Sequence, residues 1–530
     1  MTSGRKVILF EINEIPYRVF DHYVERHPDS CIAKLIATAK QFETVCEDQV
    51  ELDPWISWPT LHRGVIDEQH RIFHLGQSLD FANRSYPSVW DMLARRGMKV
   101  GVMGSLHSST MPDNLSDYAF YVPDFFAHEA FAHPQELMAF QKFNLAMTRL
   151  SARNVQRRLP VKETVDFLSH YATHGMSAGT VRKAIAELAA ELVKPHLRCR
   201  RRAIQPLITL DLFMNLMGRS RPDLATFHTN HVAAAMHRYW AATFPNDAEN
   251  AMPEDWRAKY AAEIDYSMEV LDAMLGRLMA FCSADDSYML VCASSMGQAA
   301  VKTRVSKMFA TITNIKRFMA RLGCAAGTWS QRFAMVPCVS VMVDAAHADA
   351  FEQRVQALRV GDKAMIKGER EVAPMSYDRK ENSFQFFVYF DGDSAGRTCR
   401  LGDEVLPFED LGFGNHSHQD DVSCSARHTP YGVFIVYDPR QPAVDRGRSQ
   451  ISTLDIAPAL LHCFGVQPPS YMHEADPSLL DTATVGASVR VDASGGGVEV
   501  PVTRHSSAQS VHPAVAAAAN EAAFIGSQTA

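Results

Sequence analysis

Residues 53–77 read DPWISWPTLHRGVIDEQHRIFHLGQ. One hydroxyl, Ser57, stands in a Trp-Ile-Ser-Trp-Pro frame, with Gly64 soon after it and His70-Arg71-Ile72 closing the stretch. Proline fixes φ and pushes the residue before it out of the helical region. Pro54 and Pro59 therefore predict a stiff bend carrying Ser57, with Trp58 extended. Two flanking indoles, Trp55 and Trp58, would exclude water from that bend. A nucleophilic hydroxyl needs such a rigid, exposed perch, with a group nearby to take its proton. The same residues also fit a proline-rich surface turn whose tryptophans pack on the core.

Before this stretch, Val7-Ile8-Leu9-Phe10 is a continuous apolar run of the kind found in a central parallel strand buried on both faces. It ends in Glu11-Ile12-Asn13-Glu14. Open α/β sheets bind ligands beyond the carboxyl ends of their strands, so Asn13 and Glu14 are well placed for a site. After it come a capped helix from Ser88 to Leu93 and a strand from Lys99 to Met103. The chain from about 133 to 216 is helical by period. A strand from Asp223 to Phe227 leads into His228-Thr229-Asn230-His231 and a short helix. One apolar helix face runs from Trp256 to Leu278, and the strand Tyr288 to Cys292 ends at Ser294-Ser295-Met296-Gly297.

Residues 299–410 break this rhythm and read as a small α+β cap or insertion, with strands at Cys338–Val343 and from Phe384 to Phe390 around a helix from His347 to Leu358. Residues 131–219 read as a helical insertion. That leaves 1–130, 220–298 and 411–480 as the core, and 485–530, rich in Ala, Ser, Gly and Val, as a disordered tail.

The 530 residues are 47% hydrophobic and 21% charged, ordinary for a soluble globular chain. A net charge of -7 excludes a general attraction to nucleic acid. The run Arg198-Cys199-Arg200-Arg201-Arg202 is the local exception. It fits either a phosphate or anionic surface, or a solvated helix end. Ten cysteines scattered singly point to reduced, buried thiols and a cytoplasmic protein. No apolar run is long enough to span a membrane.

Ser57-Trp58-Pro59, Arg63-Gly64 and His70-Arg71-Ile72 resemble a series in the type I phosphodiesterase/nucleotide pyrophosphatase branch of the alkaline phosphatase superfamily. There a Thr or Ser precedes an aromatic-Pro pair, and a Thr-Gly-like step and a His-Gly-Ile follow. His428-Thr429-Pro430-Tyr431-Gly432 is similar to that branch's His-x-Pro-x-Gly, and Asp455-Ile456-Ala457-Pro458-Ala459-Leu460-Leu461 to its Asp-Ile-Ala-Pro-Thr-Leu-Leu helix. The resemblance implies a three-layer α/β/α sandwich with a helical insertion and a small α+β cap. It further implies a hydrolase or transferase of phosphoric esters with Ser57 as nucleophile, or a sulfatase-like hydrolase. The alternative is a degenerate relative that binds a ligand or partner.

The resemblance also implies two divalent metal ions, usually zinc, and a small-molecule or glycan-linked phosphoester substrate. It places the family's metal-binding Asp and His at Asn13, Ser295, Met296, Ala233, His237 and His428, where only His237 and His428 keep a ligand type. Asn13, Glu14, His237 and His428 are accordingly the candidate metal residues. Thr60, Asn230 and His231 are candidates for contacting substrate. Glu11, His231, His416, His418 and Asp421 offer further side chains that could replace the missing ligands, whereas His62 and His74 read as surface or packing residues.

Overall fold

The computed structural model describes residues 5–481 apart from 51, 74, 76, 152–153, 156–158, 172–174, 249, 335, 369–373, 423 and 442–446. The expected tail at 485–530 and His74 lie outside the described residues.

An eight-stranded sheet forms the middle layer. From edge to edge its strands are Arg448–Ser452, Lys40–Val45, Tyr431–Tyr437, Tyr288–Ala293, Lys6–Ile12, Leu224–Thr229, Val100–Met103 and Phe120–Val122. Only Tyr431–Tyr437 runs against its neighbours; the other pairings are parallel. Successive side chains of a strand point to opposite faces. Ile8, Phe10 and Ile12 accordingly join one hydrophobic cluster, and Val7 and Leu9 join the other. The first cluster packs the helices Tyr17–Arg26, Arg201–Ser220, His231–Thr243 and Glu263–Ala284 on one face. The second packs Pro54–Arg63, Val89–Ala94 and Ile456–Cys463 on the other. The α/β/α sandwich expected from the sequence is the architecture observed.

Four helices, Met138–Ser151, Val161–Tyr171, Ala178–Val193 and Arg201–Ser220, fill the stretch read as helical. The strand expected over 223–227 runs on to Thr229, which brings His228 into register beside Glu11. Between 308 and 413 the chain builds separate small sheets around a hydrophobic cluster of its own, and none of those strands joins the central sheet. Its Phe333 packs against Phe126 of the main body, with ring centroids 5.1 Å apart. None of the ten cysteines is in a disulfide, and no described helix is long and apolar enough to cross a membrane.

The decisive stretch differs from its expected geometry. Residues Pro54–Arg63 are a helix, with Asp53 capping its first turn, Pro54 in the first helical position and Gly64 closing it in the left-handed region at φ 62°. These are strong start and stop signals. They outweigh Pro59, whose missing N–H removes a single intrahelical bond. Ser57 thus sits on a helix rather than a bend, and it is fully buried rather than exposed.

Candidate functional site

The strand Lys6–Ile12 delivers two glutamates to the carboxyl edge of the sheet. Glu11 is its penultimate residue, and Glu14 follows in the turn. Glu14 holds a left-handed φ of 59°, unfavourable for a side-chain-bearing residue. Non-glycine strain of this kind gathers at functional sites, where the surroundings over-determine it.

Those surroundings are specific. Glu14 Oε2 lies 3.0 Å from His237 Nε2 and 3.1 Å from His428 Nε2. The Gln298 side-chain amide donates to the same oxygen. Glu14 Oε1 accepts from Asn13 Nδ2 at 2.7 Å. Each histidine is pinned from behind, since the Nδ1–H of His237 donates to the Ala426 carbonyl at 3.2 Å and that of His428 to the Leu52 carbonyl at 2.7 Å. His428 and Gln298 reach Glu14 together because the short strands Ala426–Thr429 and Gly297–Ala300 pair them directly.

With each Nδ1 donating to a carbonyl, both Nε2 lone pairs face one carboxylate oxygen. Only a proton or a cation makes that arrangement favourable. His428 Nε2 is buried and meets Glu14 Oε2 at 3.1 Å. Burial opposes a charge on His428, but the Glu14 carboxylate outweighs it and raises the imidazole to about 9. Burial keeps His237 below its ordinary value. It would also raise Glu14, yet the two histidines hold that carboxyl well below the usual range. Two imidazoles backed by carbonyls and one carboxylate, their ligand atoms within 4.8 Å of one another, fit one divalent cation of the zinc type.

The other positions that the resemblance assigns to metal ligands do not, among the described residues, supply a second set. Asn13 would have to contribute Oδ1, but that atom accepts the Trp58 indole N–H at 2.7 Å, while its Nδ2 also donates to Asn230 Oδ1 at 2.7 Å. Asn13 therefore ties the turn together instead of facing a cation. Where the resemblance places an Asp-His pair, Ser295 Oγ lies 2.8 Å from Ser57 Oγ, and Met296 is fully buried. Neither a hydroxyl engaged with another hydroxyl nor a thioether suits a hard or borderline cation.

The remaining candidates fall elsewhere. Thr60 Oγ1 donates to Asp48 Oδ1 at 2.6 Å and lies 3.1 Å from His70 Nε2. Its hydroxyl is buried within that chain and does not face a substrate. His231 accepts at Nδ1 from Thr229 and donates at Nε2 to the Ser267 carbonyl, so both nitrogens are engaged. Burial lowers it to about 4 and keeps it neutral. Asn230 and His231 both line a cavity of about 150 Å³ beside the site. His416 and His418 pack on Phe309, with centroids 5.2 and 4.9 Å away, and do not join the Glu14 cluster.

Glu11 was a candidate ligand, and it instead forms a second buried group that the sequence reading missed. Its Oε1 lies 3.0 Å from His62 Nε2 and accepts from Ser105 Oγ at 3.1 Å, while its Oε2 lies 3.5 Å from His228 Nδ1. Burial would raise Glu11, but His62 and His228 outweigh it and bring it to about 2. A glutamate inside a central apolar strand was the available signal, because a buried charge must find a partner.

No protein-family model matches the chain, and neither does any curated protein. Among solved structures it is similar to the murine ectonucleotide pyrophosphatase/phosphodiesterase 5, at 9% identity and TM-score 0.40, covering 90% of this chain and 100% of the other. An inactive form of the murine protein in complex with AMP (10%, TM-score 0.39) and the human protein (10%, TM-score 0.38) match over the same 90% of this chain and 99% of theirs. At such scores these likenesses carry no argument about activity.

Proposed function

We propose that the protein is a hydrolase or transferase of phosphoric esters working with one divalent cation at Glu14, His237 and His428, with Ser57 as its nucleophile. The observation that carries this reading is the convergence of two backbone-pinned imidazoles on one oxygen of a strained, buried glutamate. A cation held there would polarise a phosphoryl oxygen and favour the ionised form of a nearby hydroxyl. Asn13 bonds both Glu14 and the indole of Trp58, the residue next to Ser57. That network fixes the Ser57 helix and the Glu14 turn in one frame. Ser295 is the hydroxyl that can accept a hydrogen bond from Ser57 and orient its lone pairs.

A second reading, a binding protein without turnover, is favoured by one fact: Ser57 is completely buried, with its hydroxyl engaged by Ser295. The test is a panel of aryl phosphate monoesters, diesters and sulfate esters, with zinc, manganese or magnesium added in turn. Ser57→Ala should abolish turnover, because covalent catalysis fails without its nucleophile, while Thr60→Ala should only weaken it. A wild type indistinguishable from Ser57→Ala across the panel would leave the binding reading.

A further inference from the structure

A second cavity, also of about 150 Å³, opens at the seam between the main body and the unit built from 308–413. The body contributes Trp55, His107, Asp124 and Phe126 to its wall, and the small sheets contribute Arg332 and Phe333. None of Glu14, Ser57, His237 and His428 is among its described lining residues. Its apolar side is aromatic. Trp55 stands edge-on to Phe126 with centroids 4.5 Å apart, and Phe126 meets Phe333 at 5.1 Å. Walls of this kind favour a planar ring.

His107 is the first polar group in that wall, and it is only 9% exposed. Burial keeps its imidazole well below the ordinary value and therefore neutral. The Trp55 backbone carbonyl takes the ring's N–H, and Nε2 is left buried with no hydrogen-bond partner. A neutral imidazole has one donor and one acceptor nitrogen, so Nε2 offers a lone pair to the cavity. Leaving a buried acceptor unpaired is costly, and a ligand N–H or O–H would remove that cost.

Arg332 is the second. Its Nη2 meets the Met342 sulfur at 3.2 Å, a weak acceptor, and its Nε is buried without a partner. A guanidinium so placed, with no carboxylate paired to it among the described residues, favours an anion. Asp124 does not supply that charge. It accepts from the Phe126 amide at 2.9 Å, and burial raises its carboxyl to about 7, so it carries part of a charge at most near neutral pH.

We infer that this cavity binds an aromatic carboxylate that also bears an amino or hydroxyl group. The carboxylate sits on Arg332, the N–H or O–H donates to His107 Nε2, and the ring lies against Trp55, Phe126 and Phe333. Such a ligand bridges the main body and the small sheets. Its binding does not depend on the cation site or on turnover.

The test is calorimetric titration of the chelator-treated full chain with 4-aminobenzoate, benzoate and aniline, each at up to millimolar concentration. The wild type should bind 4-aminobenzoate more tightly than either fragment. Arg332→Gln should weaken 4-aminobenzoate and benzoate by about tenfold to a hundredfold, the range for losing a charge-assisted hydrogen bond, and leave aniline unchanged. His107→Asn shortens the side chain at a left-handed φ of 63° that asparagine tolerates. It should weaken 4-aminobenzoate and aniline by about tenfold and leave benzoate unchanged. Ser109→Trp, which fills the cavity from a half-buried lining position, should abolish binding of all three, and it serves if His107→Asn fails to fold. Glu14→Gln should bind 4-aminobenzoate as the wild type does. Wild-type affinity in a folded Arg332→Gln or Ser109→Trp, no binding to the wild type, or a loss confined to Glu14→Gln would overturn the inference.

Discussion

Two glutamates three positions apart each meet two histidines, and the two groups are built differently. Glu11 spreads its partners over two oxygens, His62 on Oε1 and His228 on Oε2. His62 is stacked on Trp58 and edge-on to Trp90, and its Nδ1 has no hydrogen-bond partner. Glu14 collects both of its partners on Oε2, and each of its histidines is anchored at Nδ1 by a backbone carbonyl. Convergence on one point, with the rings held from behind, is what a ligand set requires. Dispersal over both carboxylate oxygens, with His62 wedged between two indoles, is what a buried hydrogen-bonded carboxylate requires. The same residue types therefore serve packing in one cluster and are arranged to fit a cation in the other.

The largest effect that would sharpen this contrast is on stability. Glu11→Gln removes the buried carboxylate that His62 and Ser105 meet, and should lower the unfolding free energy by about 2–3 kcal/mol, the range for hydrogen bonds to a charged group. Chemical denaturation would measure it. The same variant should keep its cation, and a variant that loses the ion without losing stability would erase the distinction between the clusters.

Trp58 touches both groups, stacking on His62 and donating to Asn13. Trp58→Phe keeps the stack but leaves the buried Asn13 oxygen unpaired, a cost of about 1–3 kcal/mol. Its turnover should fall as well, because the frame between Ser57 and Glu14 loosens. A drop in stability with kcat intact would mean that the frame does not matter to the chemistry.

A smaller effect appears on acidification. Burial lowers His70 to about 3, so its contribution to stability is fully present above its ordinary value of 6.5 and is lost as pH falls through about 3. Glu11, lowered to about 2, contributes fully above its ordinary 4.5 and loses that share as pH falls through about 2. Stability should therefore begin to fall below pH 6.5, by at most about 1.4 kcal/mol per pH unit for one proton. Thermal melts of His70→Gln should show a shallower fall between pH 6.5 and 4. An unchanged slope would assign the acid sensitivity elsewhere.

The sequence exposes some of this architecture and hides the rest for identifiable reasons. Val7–Phe10 is legible because a central strand covered on both faces is apolar throughout. The strands Arg448–Ser452, at the sheet's edge, and Lys40–Val45, next to it, are not, because both mix apolar residues with Lys, Glu, Gln and Arg. The helix Pro54–Arg63 announced itself through Asp53, Pro54 and Gly64, and was hidden by the weight given to Pro59. The resemblance singled out His237 and His428, and the fold brings both side chains to Glu14. Glu14 was a candidate as well; what the sequence did not show is that Asn13 would bond Trp58 and Glu14 instead of offering its oxygen to a cation.

The most direct test of the single-cation account is the metal content of the purified protein after equilibration with zinc and removal of excess. The account predicts one ion per chain, none in Glu14→Gln or His428→Ala, and one still present in Glu11→Gln and Ser57→Ala. Two ions in the wild type, or an ion retained by a folded Glu14→Gln, would contradict it.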